Sequence, residues 1–222
     1  DNIIDVTDGI MVARGDLGVE LPMERVPLIQ KMLVQKCIEM SKPVIIATQM
    51  MESMITSYTP TRAEVNDVAN AVMDGADAVM LSAETSVGKY PVKVIEMMRR
   101  IITEVEELDT IYHKEHTPKL KTITYITDSI CYNACSLAHH AGARALISMT
   151  NSGYTAFKLS SHRPKAPIFI FTDNRSLLTT LSLVWGVRGY FYDKYESTDQ
   201  TINDLKEMVK KEGQLKSDDL VI

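Results

Sequence analysis

Three short apolar runs, none alternating with polar residues, constrain the fold of this chain most. They are Ile10-Met-Val-Ala13, Pro43-Val-Ile-Ile-Ala47 and Asp77-Ala-Val-Met-Leu81. A strand that is apolar on both faces is buried on both, as in a parallel sheet covered by helices. The intervening sequence supplies those helices. Residues 22–42 carry Val26, Ile29, Leu33 and Cys37 at roughly the spacing of one helix face. Thr61-Arg-Ala-Glu64 reads as a capping box that opens a helix with Val65, Val68, Ala69 and Val72 inward. Tyr90-Pro91 opens another, running to about Glu107, with Val94, Met97, Met98, Ile101 and Ile102 on its buried side.

Each apolar run delivers polar residues to its C-terminal end: Arg14-Gly15-Asp16, then Thr48-Gln49, then Ser82 and Glu84. In a (β/α)8 barrel the chemistry sits on that rim. Gly15 and Gly18 are expected to let the backbone turn tightly and bring N–H groups close to an anion. Asp16, between them, offers a hard oxygen ligand suited to Mg²⁺. Arg14, counted with Thr48 and Ser82 as a candidate catalytic residue, is placed either to neutralise phosphate or to pair with a carboxylate of the rim. Thr48 and Ser82 supply hydroxyls at adjacent strand ends, suited to orienting a water relay. Glu84 fits a functional, interface or helix-capping role, and Arg62 an ion-pair or subunit-contact role. Three βα units cannot close an eight-stranded barrel. With no initiator Met at Asp1 and an apolar strand opening at Leu220, the chain reads as an internal portion of a longer protein.

The charged run 104–121 marks the expected domain boundary, giving domains 1–108 and 109–222. Tyr112-His-Lys-Glu-His116 within it reads as solvated linker. Beyond it, helices are expected at 128–142, from 151 to before Arg163, at 175–185 and at 198–212. Strands are expected at 145–150, 168–172, 189–192 and from 220. This is the pattern of a small doubly wound sheet. In Thr150-Asn-Ser-Gly-Tyr-Thr155 a strand end, hydroxyls, Gly153 and a helix start converge. The turn suits either a phosphate cradle formed by Thr150, Ser152, Gly153 and Thr155, or a capped helix start without a ligand. Met50, Met51, Met54, Met97 and Met98 read as core or interface filler. Cys131, Cys135 and His139 share a helix face, but without a fourth ligand the cysteines read as buried thiols rather than a metal site.

Composition excludes several classes. With 45% hydrophobic and 24% charged residues, the 222-residue chain is ordinary globular material. A net charge of −5 argues against nucleic acid or an anionic membrane as the main partner. No run approaches a transmembrane helix and no apolar leader is seen, and three cysteines give no disulfide framework, so a cytoplasmic location is expected.

Five blocks, in order and at plausible spacing, resemble the pyruvate kinase family. They are Met11-Val-Ala-Arg-Gly-Asp-Leu-Gly18, Ala47-Thr-Gln-Met-Met-Glu-Ser-Met54, Pro60-Thr-Arg-Ala-Glu64, Asp67-Val-Ala-Asn-Ala-Val72 and Met80-Leu-Ser-Ala-Glu-Thr85. The resemblance is strong over about residues 1–108 and looser over 120–222. It implies the last three βα units of a TIM (β/α)8 barrel followed by a small doubly wound α/β C-terminal domain. It implies phosphoryl transfer from phosphoenolpyruvate to ADP, giving pyruvate and ATP, in a homotetramer, with Mg²⁺ or Mn²⁺ and K⁺ as cofactors. Asp16 matches a divalent-cation ligand, and the Gly15 and Asp16 amides with the Thr48 hydroxyl match the cradle of the substrate carboxylate. The turn at Thr150 matches one that holds the phosphate of an activating sugar phosphate in several members. The catalytic lysine, second metal carboxylate, potassium site, most nucleotide contacts and lid domain of the family would lie upstream of Asp1. The chain departs at Ala83, where the family more often has glycine. Two other readings stay open: a different metal-dependent barrel acting on phosphoenolpyruvate or pyruvate, and a non-catalytic binding or assembly module.

Overall fold

The computed structural model describes residues 2–114, 116–120, 122–194 and 196–222; Asp1, Glu115, Lys121 and Tyr195, named in part above, lie outside the described residues. The chain divides into two compact units, Asp1–Ile111 and Tyr112–Ile222.

In the first unit the elements are α1 (Asn2–Val6), β1 (Ile10–Ala13), α2 (Arg14–Glu20), α3 (Val26–Glu39), β2 (Val44–Ala47), α4 (Arg62–Asp74), β3 (Ala78–Val79), α5 (Ala83–Ser86) and α6 (Pro91–Glu106). The three strands form a parallel sheet in the order β1-β2-β3. Val12 and Ile46 face the helices and are buried with Val34, Cys37, Ile38, Val68 and Val94. The alternate residue Met11 is 53% exposed, as period-two geometry requires of the opposite face. Met50, Met51 and Met54 are fully buried fillers beneath the end of β2. Of the expected face of α3, Val26 and Cys37 are buried. Gln30, Val34, Cys37 and Ile38 are inward, while Ile29 and Leu33 are half-buried. Thr61 caps α4 through a complete capping box with Glu64, and Gly75 closes the helix in a left-handed conformation.

The expected tight turn at Gly15 and Gly18 is not what forms. Both glycines lie inside α2, which starts directly after β1, and neither has a positive φ. A Cβ at Gly18 would meet only the flexible end of Met23, with Sδ at 2.8 Å, so neither turn geometry nor a backbone clash requires that glycine.

The second unit contains α7 (Tyr125–Ala141), β4 (Leu146–Met149), α8 (Tyr154–Ser161), β5 (Ile168–Thr172), α9 (Arg175–Leu181), β6 (Val187–Phe191) and α10 (Thr198–Lys211). Its parallel sheet runs β4-β5-β6, and a bridge from Ala145 to Val221 extends it beyond β4. All five residues of the central strand β5 are buried, and they divide by parity. Ile168 and Ile170 pack with Cys131, Cys135, Leu159 and Leu181 from α7, α8 and α9. Phe169 and Phe171 pack on the other face with Leu205 and Val209 from α10. Helices on both faces make this sheet doubly wound.

Residues 112–114 and 116 are not solvated linker. Tyr112 packs against Trp185 at 5.7 Å between ring centroids, His113 lies 3.7 Å from His139, and the His113 amide donates to the Arg163 carbonyl at 2.8 Å. These partners lie 26 to 73 positions away, beyond the reach of local composition. His162 is buried, with neither ring nitrogen hydrogen-bonded. Burial, then Lys158 and His116, push its pKa down to about 4 against an opposing effect of Asp128.

Candidate functional site at the strand ends of the first unit

Parallel pairing of Ala13 with Ala47 sets the ends of β1 and β2 side by side. The Gly15 amide donates to Thr48 Oγ1 at 3.0 Å, so the first turn of α2 is tied to the end of β2. That bond uses one lone pair of the hydroxyl and leaves its proton for another acceptor. Asp16 is exposed one residue further on. Among the described residues no group of three or more His, Cys, Asp or Glu side chains could hold a metal ion. Asp16 is a single hard oxygen donor, which fits a Mg²⁺ ion bound through one or two carboxylates together with substrate oxygens and water.

Thr48 and Gln49 both adopt left-handed backbone, with φ of 68° and 54°. Such angles are uncommon outside glycine and are outliers for a β-branched residue such as threonine. Sequence reasoning missed this pair, which carries none of the glycine or asparagine that ordinarily marks a left-handed turn.

Arg14 is engaged by groups of the protein itself. Its Nη1 meets both carboxylate oxygens of Asp67 at 2.6 Å, its Nε donates to the Ala47 carbonyl at 3.3 Å and its Nη2 to the Thr48 carbonyl at 2.5 Å. The guanidinium is therefore engaged with the protein, and of its two expected roles the carboxylate pair is the one formed. Asp67, absent from the candidate residues above, is the carboxylate it finds. Its place in the recurring Asp67–Val72 block was the only signal for it. Arg14 and Asp67 wall a cavity of about 630 Å³ that Gly15, Lys31, Asp74, Met23 and Val26 also line. A second cavity, about 700 Å³ between α4 and α6, contains none of the strand-end residues.

Ser82 is exposed at the start of α5, and Thr48 and Ser82 line neither of these two cavities. Glu84 is buried and accepts from the backbone amides of Met51 at 3.2 Å and Ser82 at 2.8 Å. Of the three roles open to it, it fills a capping one, and it also bridges the ends of β2 and β3. Glu64 reaches beyond its capping box to the Ser53 amide and hydroxyl. Burial raises its pKa, but the hydrogen bonds from Ser53 and Thr61 outweigh that and hold the carboxyl below its ordinary value.

In the second unit Thr150 Oγ1 accepts from the Gly153 amide at 3.0 Å and Ser152 Oγ from the Tyr154 amide at 3.4 Å. The turn's own hydroxyls thus cap the start of α8. Gly153 is required there, because φ is 86° and a Cβ would lie 2.6 Å from Leu177 Cδ1. Tyr154 donates its hydroxyl to the buried Asp128 at 2.5 Å. Cys131 and Cys135 are buried, burial and Asp128 push the Cys131 thiol up to about 11, and Cys135 donates to the Leu159 carbonyl.

Comparison with known proteins identifies the family of both units. Residues 1–95 match the family model described as pyruvate kinase, barrel domain, and residues 128–222 match pyruvate kinase, alpha/beta domain. The chain is 44% identical to the pyruvate kinase of Clostridium acetobutylicum, across all of this chain and 47% of that protein. It is 42% identical to that of Geobacillus stearothermophilus, across all of this chain and 38% of that protein. A crystal structure of a pyruvate kinase from Cryptosporidium parvum matches 99% of the chain and 45% of its own length, with a TM-score of 0.92 and 39% identity. The chain thus spans less than half the length of these relatives. With both of its units matched in order by the two domain models, the chain belongs to the pyruvate kinase family.

Proposed function

We propose that the full-length protein carrying this chain transfers a phosphoryl group from phosphoenolpyruvate to ADP, giving pyruvate and ATP in glycolysis. The observation that carries this reading is the 3.0 Å bond joining Gly15 N–H to Thr48 Oγ1, with Asp16 exposed beside it. The Asp16 amide and the Thr48 hydroxyl bind the substrate carboxylate, the Gly15 amide sharing its one hydrogen between Thr48 Oγ1 and that carboxylate, and the Asp16 carboxylate binds Mg²⁺ or Mn²⁺. When bound, the cation supplies charge neutralisation for the phosphate and enolate oxygens. Thr48 and Ser82 orient the water that delivers a proton to the methylene carbon of the enolate. Neither hydroxyl is acidic enough to act alone, so orientation is their contribution. The potassium ion has no assigned ligand in this chain.

The protein is further proposed to be a cytoplasmic homotetramer, with no nucleic acid or membrane as partner; no helix among the described residues is long and apolar enough to cross a membrane. The turn of Thr150, Ser152, Gly153 and Thr155 is proposed to hold an effector phosphate, which would displace the Thr150 and Ser152 hydroxyls from the Gly153 and Tyr154 amides. Asn151 supplies no positive charge and bonds Asp173 at 3.0 Å, which favours a monophosphate such as AMP or a hexose monophosphate over a bisphosphate.

The decisive experiment is Asp16→Asn in the full-length protein. Turnover is expected to vanish and Mg²⁺ or Mn²⁺ binding to weaken by well over tenfold, because a coordinating charge is lost. Unchanged metal affinity would remove Asp16 from the site.

A further inference from the structure

The left-handed pair Thr48-Gln49 is held by a long-range device. A left-handed L-residue brings its Cβ against the following carbonyl, and threonine, branched at Cβ, has the least room for it. Nothing local favours the conformation, since neither side chain is the short Asn or Asp that tolerates it. The compensating contacts come from β1 and α4. Arg14 donates to the carbonyls of Ala47 and Thr48, the two peptide oxygens that flank the first strained residue. Asp67 chelates the remaining nitrogen at 2.6 Å and so fixes the fork. The arginine side chain is only 12% exposed, which strengthens each of these bonds relative to water.

We infer that Arg14 and Asp67 are positioning residues. They hold Thr48 and Gln49 in left-handed backbone so that the Thr48 hydroxyl stays in front of the Gly15 amide. The inference rests on the role proposed above for Thr48, and it makes neither Arg14 nor Asp67 a catalytic residue. It also explains why the arginine is a fork: a lysine could meet Asp67 but could not reach two successive carbonyls at once.

The test uses the full-length protein with Asp67→Asn, Arg14→Lys, Gln49→Gly and the double variants that add Gln49→Gly. The readouts are exchange of the methyl protons of pyruvate, KM for phosphoenolpyruvate, Mn²⁺ affinity and thermal unfolding. Either single clamp variant is expected to slow proton exchange roughly 10- to 100-fold with Mn²⁺ affinity unchanged, the range for a misplaced proton-transfer group. Glycine adopts left-handed backbone without penalty. Adding Gln49→Gly to either variant is therefore expected to recover roughly five- to tenfold of the lost rate. Gln49→Gly alone is expected to leave exchange within about twofold. A merely structural pair would lose stability without that rescue. Unaltered exchange in Asp67→Asn, or a loss that Gln49→Gly does not recover, overturns the inference. If the wild-type protein exchanges no pyruvate protons, the proposed reaction fails separately. The unfolding cycle then decides the clamp: coupling between positions 49 and 67 supports it, and additive losses overturn it.

Discussion

At the end of β2 the backbone turns left-handed at a threonine and a glutamine, whereas at the end of β4 the left-handed position is Gly153. The supporting bonds differ in the same sense. Around Thr48 they join residues 33 to 53 positions apart, from Gly15, Arg14 and Asp67. Around Gly153 the polar caps come from Thr150 and Ser152, two or three positions away. The first design fixes a hydroxyl by cross-linking two βα units, so it is stiff only when both are present. The second is self-contained, so its amides can be released to a ligand without disturbing the sheet.

The largest expected effect tests the stiff side. In the full-length protein, Thr48→Val keeps shape but removes the hydroxyl, and protonation of the methylene carbon is expected to slow by roughly 10²–10⁴. Detritiation of labelled pyruvate reports that step apart from phosphoryl transfer. A variant exchanging at the wild-type rate would leave Thr48 with no part in proton delivery.

Acidification separates the units next. His162 is held neutral with a pKa of about 4, against about 6.5 unfolded, so the unfolded state binds the extra proton. Its contribution to the stability of the second unit is fully present above about pH 6.5 and is lost as pH falls toward 4, by about 3 kcal/mol in all. The first unit contains no histidine; its Glu64, with a lowered pKa, withdraws stability only as pH falls below its ordinary value of 4.5. Unfolding followed in each unit from pH 7.5 to 4 should show the second weakening first. His162→Phe, which removes two unpartnered ring nitrogens, should abolish that early loss.

A smaller effect sharpens the contrast between the glycines. Gly153→Ala meets both a positive φ and Leu177, and should destabilise the second unit by about 2 kcal/mol. Gly18→Ala meets only the flexible end of Met23 and sits in a helix, where alanine is the better former. Chemical denaturation should find it within about 0.5 kcal/mol of the parent. Between these two lies Thr61→Ala, expected to cost about 1 kcal/mol through loss of the α4 cap and to be read by the same denaturation.

What could be read in the sequence was the local part. The span of β5, the Thr61–Glu64 capping box and the helix faces of α4 and α6 follow from apolar runs, cap residues and a period of 3.6, which a short window contains. The five family blocks bring the candidate residues Gly15, Asp16 and Thr48 into one neighbourhood from the sequence alone. The Arg14–Asp67 pair, the bridge from Glu84 to Met51 and the packing of Tyr112 on Trp185 were hidden, because each joins elements that only the tertiary fold brings together. The left-handed Thr48 was hidden for a different reason. Strain marks a backbone forced by its surroundings, and residue identity then argues against the conformation adopted.

The four-rung pairing of β1 with β2, from Ile10–Val44 to Ala13–Ala47, has a consequence for how this chain tolerates insertions and deletions. Strand register acts as a ruler between position 14 and position 48. Lengthening the segment between α3 and β2 would leave the ruler intact, since it changes only how the chain travels around the outside. One residue added inside Ile10–Ala13 would reverse every later side chain of the strand and carry Arg14 away from the carbonyls it holds. Variation in length among relatives should therefore collect on the outer connections and be absent from these two four-residue strands.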